Sequence, residues 1–133
     1  MIRKLAMIVG ALLLPSCATI QSIGSHVPSF WDDNQSAAII DVRQSIYNLD
    51  CEEAQAPQAE KILERIVWFE LYSQSKGARQ KDVLELIKPL KDSTADFVTR
   101  TQRGKTSVYY CESKKSILEI QAGKAAQATM RRF

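Results

Sequence analysis

The chain has 133 residues, of which 25% are charged and 45% apolar, and its formal net charge is +3. That length supports one domain with a modest core and excludes a string of several domains. Met1-Ile2-Arg3-Lys4 is a short cationic start, and Leu5 to Leu14 (LAMIVGALLL) is an apolar run of ten residues. A run of that length cannot cross a bilayer, which needs about 20 residues. It has the size of a signal-peptide h-region. Leu14-Pro15-Ser16-Cys17 then places small and turn-favouring residues before a cysteine.

With Leu14 at −3, Ser16 at −1 and Cys17 at +1, this segment resembles the signal peptide and lipobox of bacterial lipoproteins. Pro15 fills the −2 position. The resemblance covers residues 1–17 alone. It implies that Cys17 receives a diacylglyceryl group, that cleavage precedes it, and that the new amine is acylated in Gram-negative cells. Each buried methylene of such a lipid contributes about 0.8 kcal/mol, and more than one chain makes attachment durable. Ala18 follows the cysteine, not Asp, and so resembles lipoproteins of the outer membrane. The competing reading is an ordinary signal peptide cut elsewhere, or an uncleaved anchor.

Residues 1–16 are therefore set aside as a signal peptide. The expected mature chain, residues 17–133, has 117 residues and a net charge of +1. Its charge is uneven. Residues 17–76 hold four Lys/Arg and nine Asp/Glu, whereas residues 77–133 hold twelve and six. Two explanations are open. Either two hairpins face each other with opposite charge, or a basic C-terminal surface meets an anionic partner such as wall polymer or lipid phosphate.

Residues 17–31 read as the lipidated cysteine and a flexible tether with Ser, Gly and Pro and no sustained period. The single histidine, His26, lies there and reads as incidental, not as a ligand. Phe30-Trp31 ends the tether, either packing over the next helix or inserting into a partner or the membrane interface. Asp32 and Gln35 have the N-cap and N3 spacing of a capping-box variant. Ile39, Val42, Ile46 and Leu49 then form one helical face. Pro57 suits the first turn of a second helix. There Ala59, Ile62, Ile66 and Phe69 make a stripe, with Leu63, Val67 and Trp68 beside it. Residues 66–72 (IVWFELY) are apolar nearly all round, as in a central bundle helix; an aromatic box for a ligand is the alternative. Lys76 and Gly77 end that helix.

A third helix is expected from Lys81-Asp82, carrying Val83, Ile87, Leu90, Phe97 and Val98. Pro89 predicts a kink or short break near Leu86–Pro89. Gly104 closes the segment after Arg103. A fourth helix from about Ser107 to Arg131 should bury Tyr110, Ile117, Leu118, Ala122 and Ala125. No segment alternates as a strand. The fold class is thus all-α, a small three- or four-helix up-down bundle over residues 32–133.

That topology brings the end of the first helix to the start of the fourth, so Cys51 and Cys111 should meet. In an oxidising compartment they would form a disulfide, and closing so long a loop would stabilise by about 4 kcal/mol. Two buried thiols are the alternative. Two cysteines and a tether histidine do not make a tetrahedral zinc set. No cofactor and no metal site is expected.

Catalytic motifs are missing from the sequence: it has no G-x-S-x-G, H-E-x-x-H, P-loop or glycine-rich nucleotide turn. Glu64 and Glu70 could imitate the carboxylate pair of a wall-cleaving glycosidase, but on a helix rich in charged positions such a pairing is usually a solvated face. The export signal argues against nucleic-acid binding. The expectation is a non-enzymatic, outer-membrane-anchored, periplasm-facing lipoprotein that binds or scaffolds. Its partners would be the membrane through Cys17, and an envelope protein or peptidoglycan. Trp31, Trp68, Tyr72, Arg131 and Arg132 are the candidate partner surface. The layout is also similar to that of phage lipoproteins, namely outer-membrane spanin subunits for lysis and superinfection-exclusion lipoproteins. Spanin subunits are often shorter, Pro-rich and weakly structured, whereas this chain has only Pro28, Pro57 and Pro89 after the signal.

Overall fold

A computed structural model of the chain describes residues 32–131. Four helices follow one another: α1 (Asp33–Tyr47), α2 (Gln55–Ser75), α3 (Lys81–Gln102) and α4 (Val108–Met130), with one 3₁₀ turn at Ala78–Gln80 before α3. The described residues form an all-α bundle without strands. Short turns make successive helices antiparallel neighbours. Four seams close the bundle, α1–α2, α2–α3, α3–α4 and α4–α1, while the diagonal pairs α1–α3 and α2–α4 face each other across the core with backbones farther apart.

The helix starts and stops follow local chemistry. The Asp32 carboxylate accepts the N–H groups of Asn34 and Gln35, which α1 cannot itself satisfy. Ser107 does the same for Tyr110 at α4. Gly77, at φ 85°, turns the chain after Lys76 closes α2; an L side chain is strained there. The second helix begins at Gln55, so Pro57 lies in its first turn, where no amide partner is lost.

Each helix contributes one stripe to a common core. Ile39, Val42 and Ile46 of α1 meet Ile62, Ile66 and Phe69 of α2, Ile87, Leu90 and Phe97 of α3, and Leu118 of α4. All are buried. Burial of such a side chain contributes about 1.5–3 kcal/mol. On α4 the small residues Ala122, Ala125 and Ala126 are buried.

Three expectations need correction. Gln35 does not reach back to the cap. Its amide points inward and donates to the Ser73 hydroxyl and to Gln80 Oε1, both at 2.9 Å. A polar group that finds buried partners this good gains more there than at a wet helix end. Pro89 does not break α3, which runs unbroken from Lys81 to Gln102. Pro89 and Glu85 are exposed, so the carbonyl that loses its donor faces water. Ile117 is not in the core but 46% exposed. It precedes Leu118, and successive helical residues point about 100° apart, so with Leu118 at the centre of the buried stripe Ile117 falls at its edge.

Cys51 and Cys111 form a disulfide, with Cα atoms 5.6 Å apart. Gln55 reinforces this end. Its side-chain amide donates to the Cys51 carbonyl and, at 3.3 Å, to that of Thr106. Its Oε1 accepts from the Thr106 N–H and hydroxyl. One buried glutamine thus ties the α1–α2 turn to the α3–α4 turn. Among the described residues, no helix is long and apolar enough to cross a membrane.

Candidate functional site

The second half of α2 shows how an apolar run divides between core and surface. Ile66 and Phe69 face inward, while Trp68 and Leu71 face outward at 52% and 59% exposure. Trp68 stacks on Tyr72, with centroids 5.2 Å apart and ring planes 10° from parallel. The Tyr72 hydroxyl donates to both oxygens of Asp32. Lys76 forms an ion pair with the same carboxylate. Burial pushes the Asp32 carboxyl up, but hydrogen bonds from Lys76, the Gln35 N–H and Tyr72 outweigh that and hold it below the usual carboxylate value. Beside Trp68, an open groove of about 360 Å³ runs between α1 and α2, with Ala37, Ala38 and Arg65 among its lining residues.

Of the residues expected to form a partner surface, Trp68 and Tyr72 therefore lie together. Tyr72, however, spends its hydroxyl on Asp32. Arg131 follows α4, which lies diagonally across the bundle from α2, so it belongs to another side. Cys17, Trp31 and Arg132 lie outside the described residues. Cys51 and Cys111 are together, as above.

The candidate glutamate pair does not assemble. Residues six apart on a helix point about 120° away from each other. Glu70 lies on the α2–α3 seam, where Lys91 holds both its oxygens at 2.7 Å. Glu64 is on the exposed side. Among the described residues, no three His, Cys, Asp or Glu side chains group as a metal site.

A second surface escaped the reading of motifs. The last turns of α3 and the loop after it form a cleft of about 550 Å³, lined by Asp96, Thr99, Arg100, Arg103, Lys105 and Thr106. Three of those six side chains are cationic. Asp96 is the only acid among them, and Lys114 of α4 bonds it at 2.8 Å. That hydrogen bond and charge hold the Asp96 carboxyl below its usual value, and the nearby Arg100 and Arg103 charges add to the effect. Arg100 lies 5.0 Å over the Tyr110 ring, and Lys114 lies 5.9 Å from it. Lys105 donates to the Glu52 carbonyl. The Arg103 N–H caps α3 on the Arg100 carbonyl, while its side chain makes no ion pair or hydrogen bond among the described residues. The signal was in the sequence as Arg100, Arg103 and Lys105 around a helix stop. Read one-dimensionally, those residues only end a helix.

The acidic hairpin α1–α2 and the basic hairpin α3–α4 face each other along the α2–α3 and α1–α4 seams. The acidic and basic hairpins share one ion pair among the described residues, Glu70–Lys91. The other interhelical pairs, Asp41–Arg65, Asp32–Lys76 and Asp96–Lys114, are formed within a hairpin. The basic excess is thus left largely on the surface. Compared with known proteins, the chain matches no family model, no curated protein and no solved structure.

Proposed function

We propose that this chain is a lipid-anchored protein of the bacterial envelope that acts as a non-catalytic binding or scaffolding module. The observation that carries the reading is the division of labour among its three cysteines. Cys51 and Cys111 are bonded to each other, a linkage at home in exported proteins. Cys17, the remaining cysteine, has the lipobox around it. The outward Trp68 and Leu71 on α2, and the cationic cleft at the α3–α4 turn, are surfaces suited to a partner.

The experiment is Cys17→Ser in a Gram-negative host, followed by mass spectrometry of the membrane fraction. The wild-type chain is expected to lose residues 1–16 and to gain acyl mass on Cys17. The variant is expected to remain an unprocessed precursor. Normal cleavage of the variant, with no added mass on the wild type, would remove the lipid anchor from the proposal.

A further inference from the structure

We infer that the cationic cleft at the α3–α4 turn is a docking site for a carboxylate-bearing wall polymer, the peptidoglycan sacculus; this rests on the envelope location proposed above. The charge argument comes first. Arg100, Arg103 and Lys105 line the cleft, and its one acid, Asp96, is already paired with Lys114. The side chains that line the cleft therefore carry more positive than negative charge. Thr99 and Thr106 line it as well. Tyr109, 83% exposed, opens α4 at the same end of the bundle and offers a bare ring to a sugar face.

The occupant follows from how weak each contact is. Exposed cations are screened, and a single pair with an anion contributes about 0–1 kcal/mol. One small anion would be held poorly. A polymer that repeats carboxylates presents many such contacts to many anchored copies, and linked weak contacts add through effective concentration.

Place in the fold separates wall from membrane. The described chain starts at Asp32, at the end of the bundle opposite the cleft. The 23 residues of α4 separate the two ends, which is about 35 Å at 1.5 Å per residue. Charge interactions fade over about 8 Å at physiological salt. A molecule that stands away from the membrane on its Asp32 end would thus hold its cleft beyond reach of the headgroups of its own leaflet.

The test is co-sedimentation of the full processed chain, purified in mild detergent, with isolated sacculi, and in parallel with phosphatidylglycerol vesicles. Wild type is expected to pellet with sacculi at low salt and to be released as salt rises from about 0.05 to about 0.5 M. Arg103→Glu, whose side chain makes no hydrogen bond or ion pair among the described residues, is expected to weaken retention on the order of fivefold. Lys124→Glu, the same charge change on α4, is expected to pellet like wild type. The inference is overturned if wild type stays in the supernatant, if both variants lose retention equally, or if vesicles retain the protein and sacculi do not. Because residues 17–133 can also be purified and assayed without lipid on Cys17, failure of sacculus binding is distinguishable from failure of Cys17 processing, which tests the anchor separately.

Discussion

Where the described chain starts, Gln35, Ser73 and Gln80 bond one another across α1, α2 and the 3₁₀ turn, and Asp32 gathers Tyr72 and Lys76. At the opposite end, one covalent bond joins Cys51 to Cys111, and Gln55 fastens the two turns around it. The first end is held by contacts that exist only in the folded state, each sensitive to protonation or to loss of one partner. The second is held by a bond that persists when the chain unfolds. A disulfide acts largely by restricting the unfolded chain, whereas hydrogen bonds act on the folded one. The bundle is thus clamped at the end that carries the cationic cleft, and fastened by reversible contacts where the chain enters.

The largest expected effect comes from opening the clamp. Reduction, or the double substitution Cys51→Ala with Cys111→Ala, frees a loop with a sequence separation of 60. The loss should be about 4 kcal/mol. Urea unfolding of oxidised and reduced protein measures it, and coincident curves would refute the clamp. Gln35→Leu should cost less, about 1–3 kcal/mol, because Ser73 and Gln80 keep buried polar atoms without their donor. It should act whether or not the disulfide is intact, since the two sites lie at opposite ends.

The smallest effect is one of pH. The Asp32 carboxyl is held below its usual value when folded. Its contribution is therefore fully present above about pH 5 and is lost as the pH falls below about 4, through the depressed folded value. Asp96 shifts in the same direction, but its side chain is 55% exposed and its share is reduced by screening. Thermal melts from pH 6 to 2 should show wild type losing stability on acidification and Asp32→Asn losing less. Parallel profiles would show that Asp32 contributes no proton-linked stability.

Much of the fold could be read from spacing. Ile62, Ile66 and Phe69 recur every three or four residues, and burying that face is the main source of helix stability in water. Caps are equally local: Asp32 and Ser107 need only the two or three residues after them. The Cys51–Cys111 pairing followed from counting helices, because chain direction alternates in an up-down bundle. Spacing failed where a side chain had to choose among distant partners. Gln35 has an ordinary N3 position, and only the approach of Ser73 and Gln80 turns it inward. Pro89 has a local penalty whose size depends on whether the Glu85 carbonyl reaches water. The candidate surface suffered most. Trp68 and Tyr72 were readable as an aromatic run, but the tie from Tyr72 to Asp32 spans 40 residues. Arg131 was assigned to the same surface although α4 lies diagonally across the bundle from α2.

By itself, then, the sequence determined the all-α class, most of the inward faces and helix ends, and which two cysteines face each other, while it left three or four helices open. These depend on periodicity, capping and chain direction, all of which act over a few residues or follow from the order of the helices. Only the tertiary structure decided which polar groups meet, which apolar residues stay outside, and where the excess positive charge collects. Arg100, Arg103 and Lys105 converge because α3 ends where α4 begins, and Lys114 reaches back from α4 to neutralise Asp96. Such a field is a sum over positions in space, and chain order fixes those positions only after the helices have packed.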